Sequence, residues 1–219
     1  MDVQVVEDPA AVAAERLAAA VRTGAHLVLT GGSTPRRAYE QLAERGLDWN
    51  GTTVWFTDER CVPPDHEHSN FGMVKKALLD RVEGAEVHRM PGELGPRDGA
   101  AAYEREVREG APTFDLMLVG LGPDAHVCSL FPGDTALGER ERPVVGVETP
   151  GMAPLVPRIT LTLPAVNAAR DLLLLVTGED KAEAVARAFG DSPDPSAPGS
   201  LLDRSKLTLV TDSAAASRL

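Results

Sequence analysis

Cysteine is close to absent from this sequence. Cys61 and Cys128 are the only two in 219 residues, and they lack metal-ligand spacing, so neither a disulfide framework nor a zinc cluster is expected and a reducing, cytoplasmic setting fits. Positive charge is short as well: 22 Lys and Arg stand against 33 Asp and Glu, for a net charge of −11. That balance argues against a nucleic-acid footprint and against a polybasic membrane patch. It also disfavours anions at long range, so any phosphate site has to be a local island of Arg, Lys and backbone N–H groups. The opening stretch, MDVQVVEDPAAVAAERLAAAVR, has early acidic residues and no uninterrupted apolar run, so neither a signal peptide nor a membrane span is expected. There is no internal repeat, and low complexity is confined to the Ala-rich first helix and the Pro/Gly/Ser loop of residues 191–200.

What remains is ordinary for a globular protein, with 43% hydrophobic and 25% charged residues. The length permits a sizeable core, and one domain over residues 1–219 is expected. Short apolar strands alternate with polar or glycine-rich turns and amphipathic helices. Strands are predicted at 3–6, 26–29, 53–57, 85–90, 114–119, 158–163, 172–176 and 207–210, with a further one at 144–147 inside an otherwise loop-dominated stretch, 134–157. Helices are predicted at 9–22, opened by Asp8 and Pro9 with Val12, Leu17 and Val21 inward, and at 35–45 and 71–81. Two more are predicted at 98–109, with Ala102 and Val107 inward, and, after a turn at 177–181, through 189 with Lys181 near its start. This order implies an α/β fold with a mainly parallel sheet, whose turns after residues 29, 57, 119 and 176 share one rim.

The segment Phe114–Gly133, FDLMLVGLGPDAHVCSLFPG, carries the chemistry. A buried strand leaves through Gly120-Leu121-Gly122-Pro123 and presents Asp124, His126 and Ser129 at its carboxyl end, where open α/β sheets bind ligands. His126 is the residue suited to take and return a proton near neutrality; the alternative is a histidine that caps a turn. Thr30-Gly31-Gly32-Ser33-Thr34-Pro35 joins a strand to a helix and leaves free N–H groups at the helix N-terminus, a phosphate cradle by physics or else a plain tight turn capped by Thr34. It lacks the lysine of a nucleotide P-loop. Arg36 and Arg37 read as a solvated helix face. Asp58-Glu59-Arg60 follows a buried strand, which makes Arg60 a candidate phosphate ligand held by Asp58 or Glu59. One of Ser69 and Asn70 is expected to cap the next helix. Lys181 sits near a helix start, an unfavourable place for a cation unless it faces an anion. The spacing of His66 and His68 in a Pro-rich loop is too weak a signal for a metal site.

Five motifs in this order, TGGSTP, FTDERCVPPDHEHSNFGM, LVGLGPDAHVCSLFPG, PRITLTLP and LVTGEDKAEAV, closely resemble the 6-phosphogluconolactonases of the pentose phosphate pathway. The likeness spans about residues 27–189. It implies the modified Rossmann-like, three-layer fold shared with glucosamine-6-phosphate deaminases, and hydrolysis of a phosphorylated sugar lactone without metal or organic cofactor by a monomer or weak homo-oligomer. It further implies His126 as general base with Asp124 beside it. Gly31, Gly32, Ser33 and Thr34 become the phosphate and sugar loop, and Asp58, Arg60, Asn70, Arg158 and Lys181 the rest of the substrate shell. One departure stands out: the family reads Asp-Gly-His where this chain has Asp124-Ala125-His126, and a positive φ there would penalise alanine by about 1 kcal/mol. Three alternatives stay open. A deaminase-isomerase would need a carboxylate in 129–132, where the chain reads Ser-Leu-Phe-Pro. A dinucleotide enzyme is suggested only by a formal GxGxx[G/A] match at residues 120–125. A catalytically silent sugar-phosphate sensor would use the cradle without the histidine.

Overall fold

The computed structural model describes every residue except Pro112 and Asp191. The predicted 191–200 loop therefore begins outside the described residues. Ten strands and six α-helices follow in chain order: β1 (Asp2–Val5), α1 (Pro9–Ala20), β2 (His26–Leu29), α2 (Ser33–Ala43), β3 (Thr53–Phe56), β4 (Asp58–Arg60), α3 (Asn70–Ala77) and β5 (Glu86–Val87) form the first half. The second half is α4 (Gly95–Gly110), β6 (Leu116–Val119), β7 (Val144–Val147), β8 (Arg158–Leu161), α5 (Leu163–Ala168), β9 (Asp171–Val176), α6 (Ala182–Ala188) and β10 (Leu207–Thr211).

Seven strands make one parallel sheet in the order β1-β10-β9-β6-β2-β3-β5. From β2 the chain steps one way, to β3 and β5; from β6 it steps the other way, to β9 and β10. Right-handed crossovers then send α1, α2 and α3 to one face and the later connections to the other, consistent with α1 packing on α2 and α2 on α3. The strand order reverses between β2 and β6, and this is where open α/β sheets place their ligands. The inner strands are mostly apolar, as a sheet covered on both faces requires: β6 reads Leu-Met-Leu-Val and is buried at every position.

The sequence reading missed a second sheet. β4, β8 and β7 form a small antiparallel sheet, against which α4 packs. Asp58, Glu59 and Arg60, three consecutive charges, read as a surface turn or site loop, yet they are a strand because Asp58 and Glu59 find buried hydrogen-bond partners (below). Pro164 was expected to end a strand; it instead sits in the first turn of α5, where its missing N–H costs nothing. In α1 the buried residues are Pro9, Ala10, Ala13, Ala14 and Leu17, so Val12 and Val21 are only half-buried. Small alanines let α1 approach its neighbours closely, and alanine's weak apolar signal hid that face. In α4 the inward residues are Gly99, Ala100, Tyr103 and Val107, with Ala102 only half-buried. The helix also starts earlier than expected, at Gly95. Among the described residues no helix is long and apolar enough to cross a membrane.

Candidate active site

Four strand ends converge on one cavity of about 240 Å³. Thr30, Gly31 and Gly32 follow β2, Asp58 and Arg60 follow β3, Gly120–Pro123, His126 and Cys128 follow β6, and Lys181 follows β9. Asn70 from the start of α3 and Met152 complete the wall. The expectation of a shared rim is thus met by all four turns.

The histidine loop is built by close contacts. His126 Nδ1 lies 2.6 Å from Asp124 Oδ1, and the same oxygen accepts the His126 backbone N–H at 3.1 Å. The Gly122 N–H donates to the His126 carbonyl at 2.9 Å, folding the ring back over Gly122. A Cβ at Gly122 would stand 2.1 Å from His126 Nδ1, so glycine is required there by the imidazole itself. Half-burial pushes the Asp124 carboxyl up, but the hydrogen bonds and charge of His126 outweigh it and hold the group below the usual carboxylate range. An ionised Asp124 that binds Nδ1 fixes the tautomer and leaves Nε2 as the basic nitrogen. Ala125, the departure from the family pattern, is fully buried with φ 67°. The position does demand the left-handed region, and Cys128 shares it at φ 53°.

The glycine turn behaves as a cradle. Gly32 caps α2 with no side-chain hydrogen bond, so the first N–H groups of this 11-residue helix stay unpaired by the protein. Thr34 does not cap the helix; its hydroxyl shares a 2.8 Å hydrogen bond with that of Thr177, tying the turn to the end of β9. Thr34 thus supports the site from outside the lining. Ser33 is exposed and lines an adjoining hollow of about 220 Å³ with Gly32, Arg36, Arg60 and Asn70. Arg36 is solvated, as expected, yet borders that hollow as well.

Asp58 and Glu59 differ from the expectation that one of them grips Arg60. No ion pair joins them to Arg60 among the described residues. Asp58 Oδ2 accepts from Ser129 Oγ at 2.7 Å, and Oδ1 from Thr57 Oγ1 at 2.9 Å. Glu59 accepts from the N–H groups of Arg60, Asn70 and Phe71 and from Ser69 Oγ, at 2.7–2.9 Å. Burial pushes its carboxyl up against the pull of these four donors. The two acids therefore lock the loops together: Asp58 binds the histidine loop through Ser129, and Glu59 pins the start of α3, which Ser69 caps. Asn70 is buried, donates through Nδ2 to the Asp58 carbonyl at 2.9 Å, and lies so close to Gly31 that a Cβ there would be 1.9 Å from its Oδ1.

Arg60 lines the cavity with no ion pair among the described residues. Its Nη1 donates to the His68 carbonyl at 2.6 Å, while its buried Nε has no partner. Lys181 lines the cavity without an ion pair; burial depresses its ammonium below the ordinary lysine value, with Asp180 and Asp124 acting in the opposite direction. Arg158, like Ser33 and Thr34, does not line this cavity. It is buried, and its guanidinium donates to the carbonyls of Met152, Pro154 and Val156 at 2.7–3.3 Å. Three side chains important to the site were not foreseen: Ser129 as the partner of Asp58, Met152 in the wall, and Phe131, whose ring lies 4.6 Å from that of His126. The only available signal for Phe131 was its place in the apolar tail of the histidine motif.

The dinucleotide alternative loses its structural requirement. After Gly120 the chain makes a turn, and no α-helix follows before β7, so there is no helix N-terminus behind that glycine pair to hold a pyrophosphate. His66 and His68 pack against each other with ring centroids 5.1 Å apart. Among the described residues no group of three His, Cys, Asp or Glu side chains is placed to hold a metal ion.

The family model described as glucosamine-6-phosphate isomerases/6-phosphogluconolactonase matches residues 2–211. The chain belongs to this family. Within it, a 6-phosphogluconolactonase of Streptomyces coelicolor is 39% identical, the alignment covering 92% of this chain and 85% of that protein. The solved 6-phosphogluconolactonase of Trypanosoma cruzi superposes with a TM-score of 0.88 at 28% identity, covering 100% of this chain and 96% of the other. A monomeric glucosamine-6-phosphate deaminase reaches the same TM-score at 21% identity, with each chain covered in full. The deaminase shows the family fold alone; the two activities of the family have to be separated by residues.

Proposed function

We propose that this chain hydrolyses the internal ester of 6-phospho-D-glucono-1,5-lactone to 6-phosphogluconate, as a step of the pentose phosphate pathway in a reducing cytosol, with residues 1–219 acting as one substrate-binding domain. The observation that carries this reading is the sharing of one cavity by an Asp-paired imidazole, an uncapped helix N-terminus and two cations free of ion pairs, Arg60 and Lys181. A sugar phosphate needs the second half of that list, and ester hydrolysis needs the first.

With Asp124 on Nδ1, His126 Nε2 takes a proton from water as the water oxygen adds to the lactone carbonyl carbon. The carbonyl becomes a tetrahedral oxyanion. Its collapse breaks the bond to the ring oxygen, which takes the proton back from the imidazolium, and the product is an open-chain acid that ionises in solution. General-base assistance contributes roughly 10²–10⁴-fold, and positioning by the phosphate anchor contributes more. Gly31, Gly32 and Ser33 supply N–H groups to the phosphate, Arg60 and Lys181 supply charge, and Asp58, Asn70 and Thr34 hold the walls in register. Arg158 serves from behind by holding the 152–156 segment.

Within 129–132 the side chains are Ser, Leu, Phe and Pro, and Ser129 is already committed to Asp58, so the ring-opening carboxylate of the deaminase reading has no counterpart there. The test is acid release from freshly made lactone, with the spontaneous rate subtracted. His126→Ala should lose at least 10²-fold in kcat and keep its fold. Wild-type turnover in that variant would overturn the assignment, and a wild-type protein that binds 6-phosphogluconate without accelerating hydrolysis would establish the silent sensor instead.

A further inference from the structure

The imidazole of His126 is held on one edge by Asp124, but a single hydrogen bond to a ring leaves it free to tilt about that bond. The second restraint lies on its face. Phe131, five residues on, is buried, and its ring centroid stands 4.6 Å from that of His126 with the planes inclined by 46°. Phe131 also meets the backbone of Gly151: a Cβ built there would lie 3.2 Å from three Phe131 side-chain atoms at once. Gly151 opens the 151–156 segment, whose carbonyls at 152, 154 and 156 are held by the buried Arg158 guanidinium.

We propose that Phe131 is a positioning residue for the reaction: packed against both Gly151 and the imidazole, it sets the angle at which His126 Nε2 faces the lactone carbonyl, and Arg158 fixes that angle through the 151–156 segment. The proposal rests on the hydrolytic reading above. It accounts for a buried arginine whose guanidinium is spent on loop carbonyls, and for a glycine at 151 where no positive φ requires one. It also makes the 151–156 segment a backstop to the catalytic ring, in contrast to a mobile cover.

Phe131→Leu keeps an apolar side chain of similar bulk and removes the flat face. Because a displacement of about 1 Å can cost roughly 10²-fold, kcat should fall about 10- to 100-fold with KM within about twofold. Gly151→Ala pushes on Phe131 from an exposed backbone position, and should lower kcat severalfold with KM again unchanged. A readout independent of substrate is the imidazole NMR spectrum, in which the His126 resonances are assigned by their loss in His126→Asn. They should be single and sharp in the wild type and broadened or shifted in both variants. Wild-type kcat together with unchanged His126 resonances in either variant overturns the proposal. Because the resonances report the ring whether or not lactone is turned over, a wild-type protein without lactonase activity but with the expected spectral changes would reject the hydrolytic reading and leave the packing role standing. If Phe131→Leu fails to fold, Gly151→Ala decides alone.

Discussion

Ala125 occupies a backbone conformation that glycine tolerates and alanine resists. Its φ of 67° is forced by the tight return of the chain from Gly122 to His126, and left-handed backbone costs a residue with a Cβ roughly 1–2 kcal/mol. Part of that is offset in alanine's favour, because glycine loses more freedom on folding. Ala125→Gly should therefore leave stability unchanged or raise it by up to about 1 kcal/mol, as measured by urea unfolding, with kcat unaltered because the hydrogen bonds that place His126 are main-chain or from Asp124. A clear loss of stability would show that the buried methyl contributes more than the strain costs. Lys181 permits a second test at this scale. Burial lowers its pKa, so its positive charge disappears, as pH rises, sooner than that of an ordinary lysine near roughly 10.4. Affinity for 6-phosphogluconate should weaken on the alkaline side within that window, and Lys181→Arg should flatten the decline. Calorimetric titration across pH checks both. From the sequence, the identity of His126, Arg60 and Lys181 as cavity residues was legible because each follows a strand end; the roles of Asp58 and Glu59 were not, because hydrogen-bond partners 10 to 71 residues away are set by tertiary contacts.

At the level of elements, the short strand β4 explains why the site holds together. Its two acids face the interior: Asp58 binds the histidine loop, and Glu59 collects two backbone N–H groups and one hydroxyl at the start of α3 besides the N–H of Arg60. Glu59→Gln replaces one accepting oxygen by an NH₂ that confronts donors, and an unsatisfied buried donor costs about 1–3 kcal/mol. The expected outcome is a lower urea midpoint with an unchanged slope, and weaker product binding because α3 carries Asn70. A midpoint equal to the wild type would show that Glu59 is already protonated and readily replaced. The missed second sheet has the same origin as these misread acids. A three-residue strand of charged residues has no hydrophobic period to announce it, and α1 hid its alanine face for a related reason, whereas β6 and β9, with four and five consecutive buried positions respectively, were plain apolar runs apart from Asp171 at the start of β9.

For the whole molecule, a net charge of −11 means that attraction for a phosphate is local and repulsion is general. Binding then stabilises by closing four strand ends onto one ligand. At 6-phosphogluconate concentrations 100 times Kd the gain should be about 2.7 kcal/mol, a rise in Tm of roughly 5–10 °C for a chain of this size. Arg60→Ala, which removes the guanidinium with the unpartnered Nε, should abolish most of the shift in a thermal melt. The parallel sheet and the position of the cavity were readable in advance because alternation of strand and helix constrains topology strongly; the placing of β1 beyond β10 was not, since nothing local distinguishes an edge strand that returns from one that proceeds.

That edge placement has a consequence for how the molecule comes into being. Among the described residues β1 pairs only with β10, so β1 has no sheet partner until residues 207–211 arrive to sit between it and β9. Val3 and Val5 remain partly exposed even then. β1 is thus sealed only once β10 is in place, and removal of β10 would strand β1 and bare the edge of β9 together.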